Sequence, residues 1–132
     1  IGAAKNERDK YQFATLLQLE TETKARLRPF LYRHGIELDE SQVAPEQAAG
    51  FAALYSENNW SDFLTQLKPV VEQFLGRFEE IAAAGPEEDK DMLQSMVRHE
   101  QSFVHWIDKE LAGEEGGLDV ALSQIQYPLP AQ

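Results

Sequence analysis

Residues 92–111 read MLQSMVRHEQSFVHWIDKEL, and their spacing decides the fold class. Apolar side chains recur at Met92, Leu93, Met96, Val97, Phe103, Val104, Ile107 and Leu111, the three- and four-residue rhythm of one helix face. A helix turns about 100° per residue, so each side chain can be placed on a wheel. With Met92 at zero, the stripe spans roughly 20° to 140°, and Glu100 falls near its centre at about 80°. His99 lies on the edge of the stripe beside Trp106. His105 falls on the polar face with Arg98 and Lys109. A carboxylate centred on an apolar face must be paired, hydrogen-bonded, protonated or bound to a cation, because burying a free charge is costly.

The same pattern recurs upstream. Residues 4–34 carry Phe13, Leu16, Leu17, Leu27 and Leu31 at helical spacing, and Gly35 follows as a stop signal. Pro29 should bend this helix or split off its last turn. With Phe13 at zero, the stripe centres near 340°, and Glu20 falls at about the same angle. Glu22 points the other way, toward solvent. Two helices therefore each set a glutamate at the middle of an apolar face. If those faces meet, Glu20 and Glu100 would share a cation, a proton or a water. The alternative is that each finds water or a basic neighbour, Lys24 or Arg77 for Glu20.

The rest of the chain is also helical. Residues 36–44 form a loop, and Pro45 opens a short helix to about residue 57. Asn59 or Ser61 caps the next helix, 61–84, in which Pro69 predicts a kink. Its face of Phe63, Leu67, Val70, Val71, Phe74, Phe78 and Ile81 holds no carboxylate, and Glu72, Glu79 and Glu80 lie elsewhere. Gly85-Pro86 ends that helix and starts another over 87–112. Residues 118–125 add a short helical turn, and YPLPAQ is an extended tail. His34, at the end of the first helix, is expected to meet exposed carbonyls there. The fold class is all-α: one helical-bundle domain over 1–132, with three long helices and a long link that carries a short one.

Composition bounds the function. The 132 residues are 42% hydrophobic, enough to fill one core, and carry a net charge of −11. An acidic surface repels nucleic acid and anionic membrane alike. With no cysteine, disulfides, zinc–thiolate sites and thiol nucleophiles are excluded. No apolar run approaches the roughly 18 residues of a membrane span, no secretory signal pattern is present, and a cytoplasmic location is expected.

The stretches FATLLQLETETKARLRPFL and MLQSMVRHEQSFVHWIDKELAG resemble the ferritin-like and rubrerythrin-like helical bundles. In that family, inward glutamates and Glu-x-x-His pairs on facing helices build a di-metal site. The resemblance implies that the three long helices stand for the family's second, third and fourth. Residues 35–59 would then be the long crossover, and a first helix would lie upstream of Ile1 or come from a partner chain. Glu20 and Glu100 match the two motif glutamates. The histidine positions hold Thr23 and Phe103 instead, and the middle helix lacks an inner glutamate. The implied site is Glu20 and Glu100, with His99 or Tyr55 nearby, holding iron or manganese weakly or holding no metal.

Two other readings follow from the residues. Three long helices leave one side of a bundle uncovered, so a non-catalytic module that forms a homodimer is the first, with Leu19 and Phe30 as a second contact surface. The second is an enzyme using His99 and Glu100 as acid and base. Adjacent helical positions point about 100° apart, and no nucleophile or oxyanion loop accompanies them.

Overall fold

The computed structural model describes residues 4–36 and 44–130. Among the described residues five α-helices form: α1 (Glu7–Arg33), α2 (Ala44–Glu57), α3 (Trp60–Ala84), α4 (Lys90–Leu111) and α5 (Asp119–Gln124), with a 3-10 turn at Glu87–Asp89 before α4. No strand occurs among the described residues. The expected loop falls largely on residues 37–43, outside the described residues.

Local chemistry sets the helix ends. The Asn6 side chain accepts the Asp9 amide at 2.8 Å, and Asn59 accepts the Asp62 amide at 2.8 Å, so each satisfies an amide that the first turn leaves open. Pro29 and Pro69 both lie inside helices, and Pro29 does not split off the last turn of α1. At Gly85 a side chain would collide with Leu93, which explains a glycine where α3 turns into α4.

End-to-end contacts give the topology. Phe13 near the start of α1 meets Phe63 at the start of α3 and Trp106 near the end of α4. At the opposite end, Phe30 of α1 and Leu75 and Phe78 of α3 pack against one cluster of Ala82 of α3 and Leu93 and Val97 of α4. Helices α1 and α3 are therefore parallel, and α4 is antiparallel to both. The link between α1 and α3 must return along the length of the bundle. α3 packs extensively on α4, and α1 packs on α4 and α5, but α1 and α3 form no comparable interface with each other.

Among the described residues the core consists of two clusters. The larger joins Leu16, Leu19, Leu64, Trp106 and Ile107 to an edge-to-face aromatic group of Phe13, Tyr55, Trp60 and Phe63. The smaller holds Ala82, Leu93 and Val97. Glu20 and Glu100 lie between the two in sequence on their helices.

Several expectations change. Leu19 is fully buried and Phe30 packs on the smaller cluster, so neither offers a second contact surface. His34 pairs with the Asp89 carboxylate at 3.0 Å rather than with helix-end carbonyls. Glu22 does not simply face solvent. It accepts the Gln126 and Tyr127 amides at 2.6 and 3.1 Å and pins the tail against α1.

Candidate functional site

The face that α1 buries is not its most apolar face. Its buried residues are Asp9, Gln12, Thr15, Leu16, Leu19 and Thr23. On the wheel these centre about 75° from the Phe13–Leu31 stripe. Polar bonds explain the rotation. The Trp106 indole donates to Gln12 Oε1 at 2.7 Å, and Thr23 Oγ1 meets His99 Nδ1 at 2.9 Å, so a mixed stripe of α1 docks on α4. The apolar stripe is left facing sideways, and Leu17 is 52% exposed. On α3, Phe63, Leu67 and Val71 are buried, while Val70, Phe74 and Ile81 on the adjoining edge stay exposed.

These two edges wall a groove that α4 floors. It encloses about 390 Å³ between Phe13, Leu16 and Glu20 of α1, Phe63 through Phe78 of α3, and Glu100, Phe103 and Trp106 of α4, with Phe51 of α2 at its side. A second cavity of about 190 Å³ shares Glu20, Phe78 and Glu100 with the first and adds Thr23, Lys24, Met96 and His99. Glu20 and Glu100, the two carboxylates set on apolar stripes, therefore both line each of these cavities and share their border. Another depression, of about 480 Å³, lies beside the 113–117 turn, but its Arg8, Trp60 and Glu110 side chains bind one another.

The electrostatics follow from burial. The Glu100 side chain is only 13% exposed. Desolvation, reinforced by the neighbouring Glu20 charge, pushes its carboxyl up to about 7. Glu20 is also raised by desolvation, with the Lys24 ammonium acting in the opposite direction. Desolvation, helped by the Arg26 charge, brings His99 down to about 4, so its imidazole is neutral at pH 7.

Donor accounting at Thr23 favours one His99 tautomer. The Thr23 hydroxyl donates its proton to the Leu19 carbonyl at 2.8 Å and accepts from Arg26 at 3.1 Å. A hydroxyl has one proton, and with that proton on the Leu19 carbonyl His99 Nδ1 is the donor toward Thr23. The lone pair of His99 is then on Nε2, which stands 3.6 Å from Glu100 Oε1, too far for a hydrogen bond. Thr23 thus orients a histidine from another helix.

The structure brings His99, Glu100 and Glu20 to one cavity wall. It does not bring Tyr55, whose hydroxyl donates to Asp9 at 2.7 Å. Imidazole and carboxylate donors suit iron or manganese. Among the described residues, however, no three such groups are placed to hold a metal ion as they stand. Sequence reasoning missed Thr23 and the groove walls Val70, Phe74 and Phe51, because it took the most apolar stripe of each helix to be the buried one.

No helix among the described residues is long and apolar enough to cross a membrane. No family model, curated protein or solved structure matches the chain.

Proposed function

We propose that this chain is a ferritin-like helical bundle that works by helix–helix association, a non-catalytic binding module whose α1–α3 groove receives a further helix. The rotation of α1 carries the reading. Its polar stripe is spent on α4, and Phe13 and Leu16 of its apolar stripe line the groove with the exposed Val70 and Phe74 of α3. An exposed apolar channel lined from two sides is the form of a helix-in-groove site. On α3 the walls run from Phe63 to Phe78, about 22 Å at helical rise, or some four turns of a bound helix. The parallel α1 and α3, joined by a returning link and both packed on α4, support the ferritin-like reading.

The test is fluorescence anisotropy with a labelled 18-residue helical peptide, leucine on one face and glutamine elsewhere. The peptide should bind, and Val70→Asp with Phe74→Asp should abolish binding while circular dichroism stays unchanged. Absence of binding, or binding indifferent to these substitutions, sinks the reading.

A second reading is a weak divalent-cation site at the same residues. The bare Nε2 of His99, held toward Glu100 by Thr23, favours it, since a ligating imidazole is commonly oriented through its other nitrogen. Calorimetric titration with Mn²⁺ should then show binding that Glu20→Gln with Glu100→Gln removes. Unchanged uptake by that double variant rejects it.

A further inference from the structure

We infer that the helix received by the α1–α3 groove belongs to a basic amphipathic partner and places a lysine or arginine against Glu20 and Glu100, its apolar face lying on Val70, Phe74 and Phe103. The inference rests on the helix-receiving reading above and adds the chemistry of the partner.

Charge complementarity selects the occupant. Two carboxylates share the border of two cavities, the larger otherwise walled by apolar side chains and the smaller by Leu27, Phe78 and Met96 with Thr23, Lys24 and His99. Two cations of α1 act beside them. Lys24 lines the smaller cavity from α1, and its charge acts on Glu20. Arg26 donates to Thr23, and its charge acts on His99, which is itself neutral. The charge that acts on Glu100 is another carboxylate. A helix that covered the groove with neutral side chains would strip both carboxylates of water and leave Glu100 with no cation in exchange, while Glu20 kept only Lys24. Lysine and arginine avoid that penalty, because the aliphatic stem lies along apolar walls while the head meets the acids.

A second copy of the chain is the poorer occupant. Pairing would bring two net charges of −11 together, for a total of −22. Arg8, Arg33, Lys68 and Lys109 are each paired with a carboxylate of their own chain. The sequence of α2 contains no basic residue to offer.

Seating a cation has a readout besides affinity. Glu100 titrates near neutrality because of burial and Glu20, so an arriving cation favours its ionised form and binding releases a proton.

The experiment uses three labelled 18-residue peptides with one leucine face and lysine, glutamine or glutamate at the remaining positions. Each is titrated onto the native chain, the Val70→Asp, Phe74→Asp variant and the Glu20→Gln, Glu100→Gln variant. At about 0.1 M salt the lysine peptide should bind at least about tenfold tighter than the glutamine peptide, and the glutamate peptide weakest. The lysine advantage should vanish in the double glutamine variant, whose net charge changes by only two. Calorimetry in two buffers at pH 7 should show proton release with the lysine peptide on the native chain alone. Equal affinities for lysine and glutamine peptides, or a lysine advantage that survives the double variant, overturn the inference and leave the groove reading standing. So does a peptide-free dimer that Val70→Asp with Phe74→Asp dissolves, because a second copy would then hold the groove. A native chain that binds no peptide overturns both.

Discussion

His99 and Glu100 are sequence neighbours whose side chains stand 3.6 Å apart, and burial drives their titrations in opposite directions, to about 4 and about 7. The consequence for stability is a cancellation. Glu100 is raised in the fold, so the folded chain holds its proton more tightly. Its contribution is fully present below the unfolded value near 4.5 and is lost as pH rises to about 7. His99 is depressed in the fold, so its contribution is present above the unfolded value near 6.5 and is lost as pH falls to about 4. Each effect is on the order of 3 kcal/mol, since a tenfold change in proton affinity is worth about 1.4 kcal/mol. Between about pH 4.5 and 6.5 the two slopes oppose, and the pair leaves stability nearly flat. Glu100→Gln removes one slope. Urea unfolding of that variant should show stability rising across this window, and the variant should exceed the native chain above about pH 7. A native profile as steep as that of the variant rules the cancellation out.

At the far end of the bundle the Asp89 carboxylate, 1% exposed, binds the Arg33 guanidinium and accepts from His34 at 3.0 Å. This joins the end of α1 to the start of α4, where a carboxylate is also favoured by the helix dipole. Asp89→Asn keeps the shape and removes the charge, so it should destabilise by about 2 kcal/mol. The Arg33 side chain is 59% exposed, so Arg33→Ala should lose under about 1 kcal/mol. A double-mutant cycle in urea reads the coupling. Equal losses for the two substitutions would show that burial of Asp89 does not set the scale.

The helices were legible in the sequence because each long one carries its apolar residues at helical spacing and is bounded by a capping asparagine, a Gly-Pro pair or a glycine. The place of Glu20 and Glu100 on apolar stripes was legible too from wheel angles alone, but their sharing of one cavity border was not, since that depends on which faces of α1 and α4 turn toward each other. Nor was the orientation of α1. Leu17 and Leu31 belong to its most apolar face, but Gln12, Thr15 and Thr23 are the residues buried against α4, with Trp106 and His99 bonding two of them. Those bonds join Gln12 to Trp106 and Thr23 to His99, pairs far apart in the chain that no periodicity reports. The partnership of Arg33 and His34 with Asp89 was hidden for the same reason: it joins the end of one helix to the start of another well downstream.

Thr15 tests how α1 holds this orientation. Its side chain is 1% exposed, and its hydroxyl has no partner among the described residues. A buried hydroxyl left without a partner is destabilising, and valine has nearly the same shape. Thr15→Val should therefore stabilise the fold by about 1 kcal/mol, read as a higher urea midpoint at unchanged slope. It should leave peptide binding unaltered, because Thr15 lies on the docked stripe and does not line the groove. Gln12 sits on the same stripe but accepts the Trp106 indole through Oε1, so Gln12→Leu strands a buried donor and should destabilise by about 1–3 kcal/mol. Opposite signs at these neighbouring positions separate polarity that fixes the α1–α4 interface from polarity that is merely buried in it. A loss at Thr15 as large as that at Gln12 would mean that the hydroxyl has a partner in solution and that the whole polar stripe, not two of its members, sets the rotation that opens the groove.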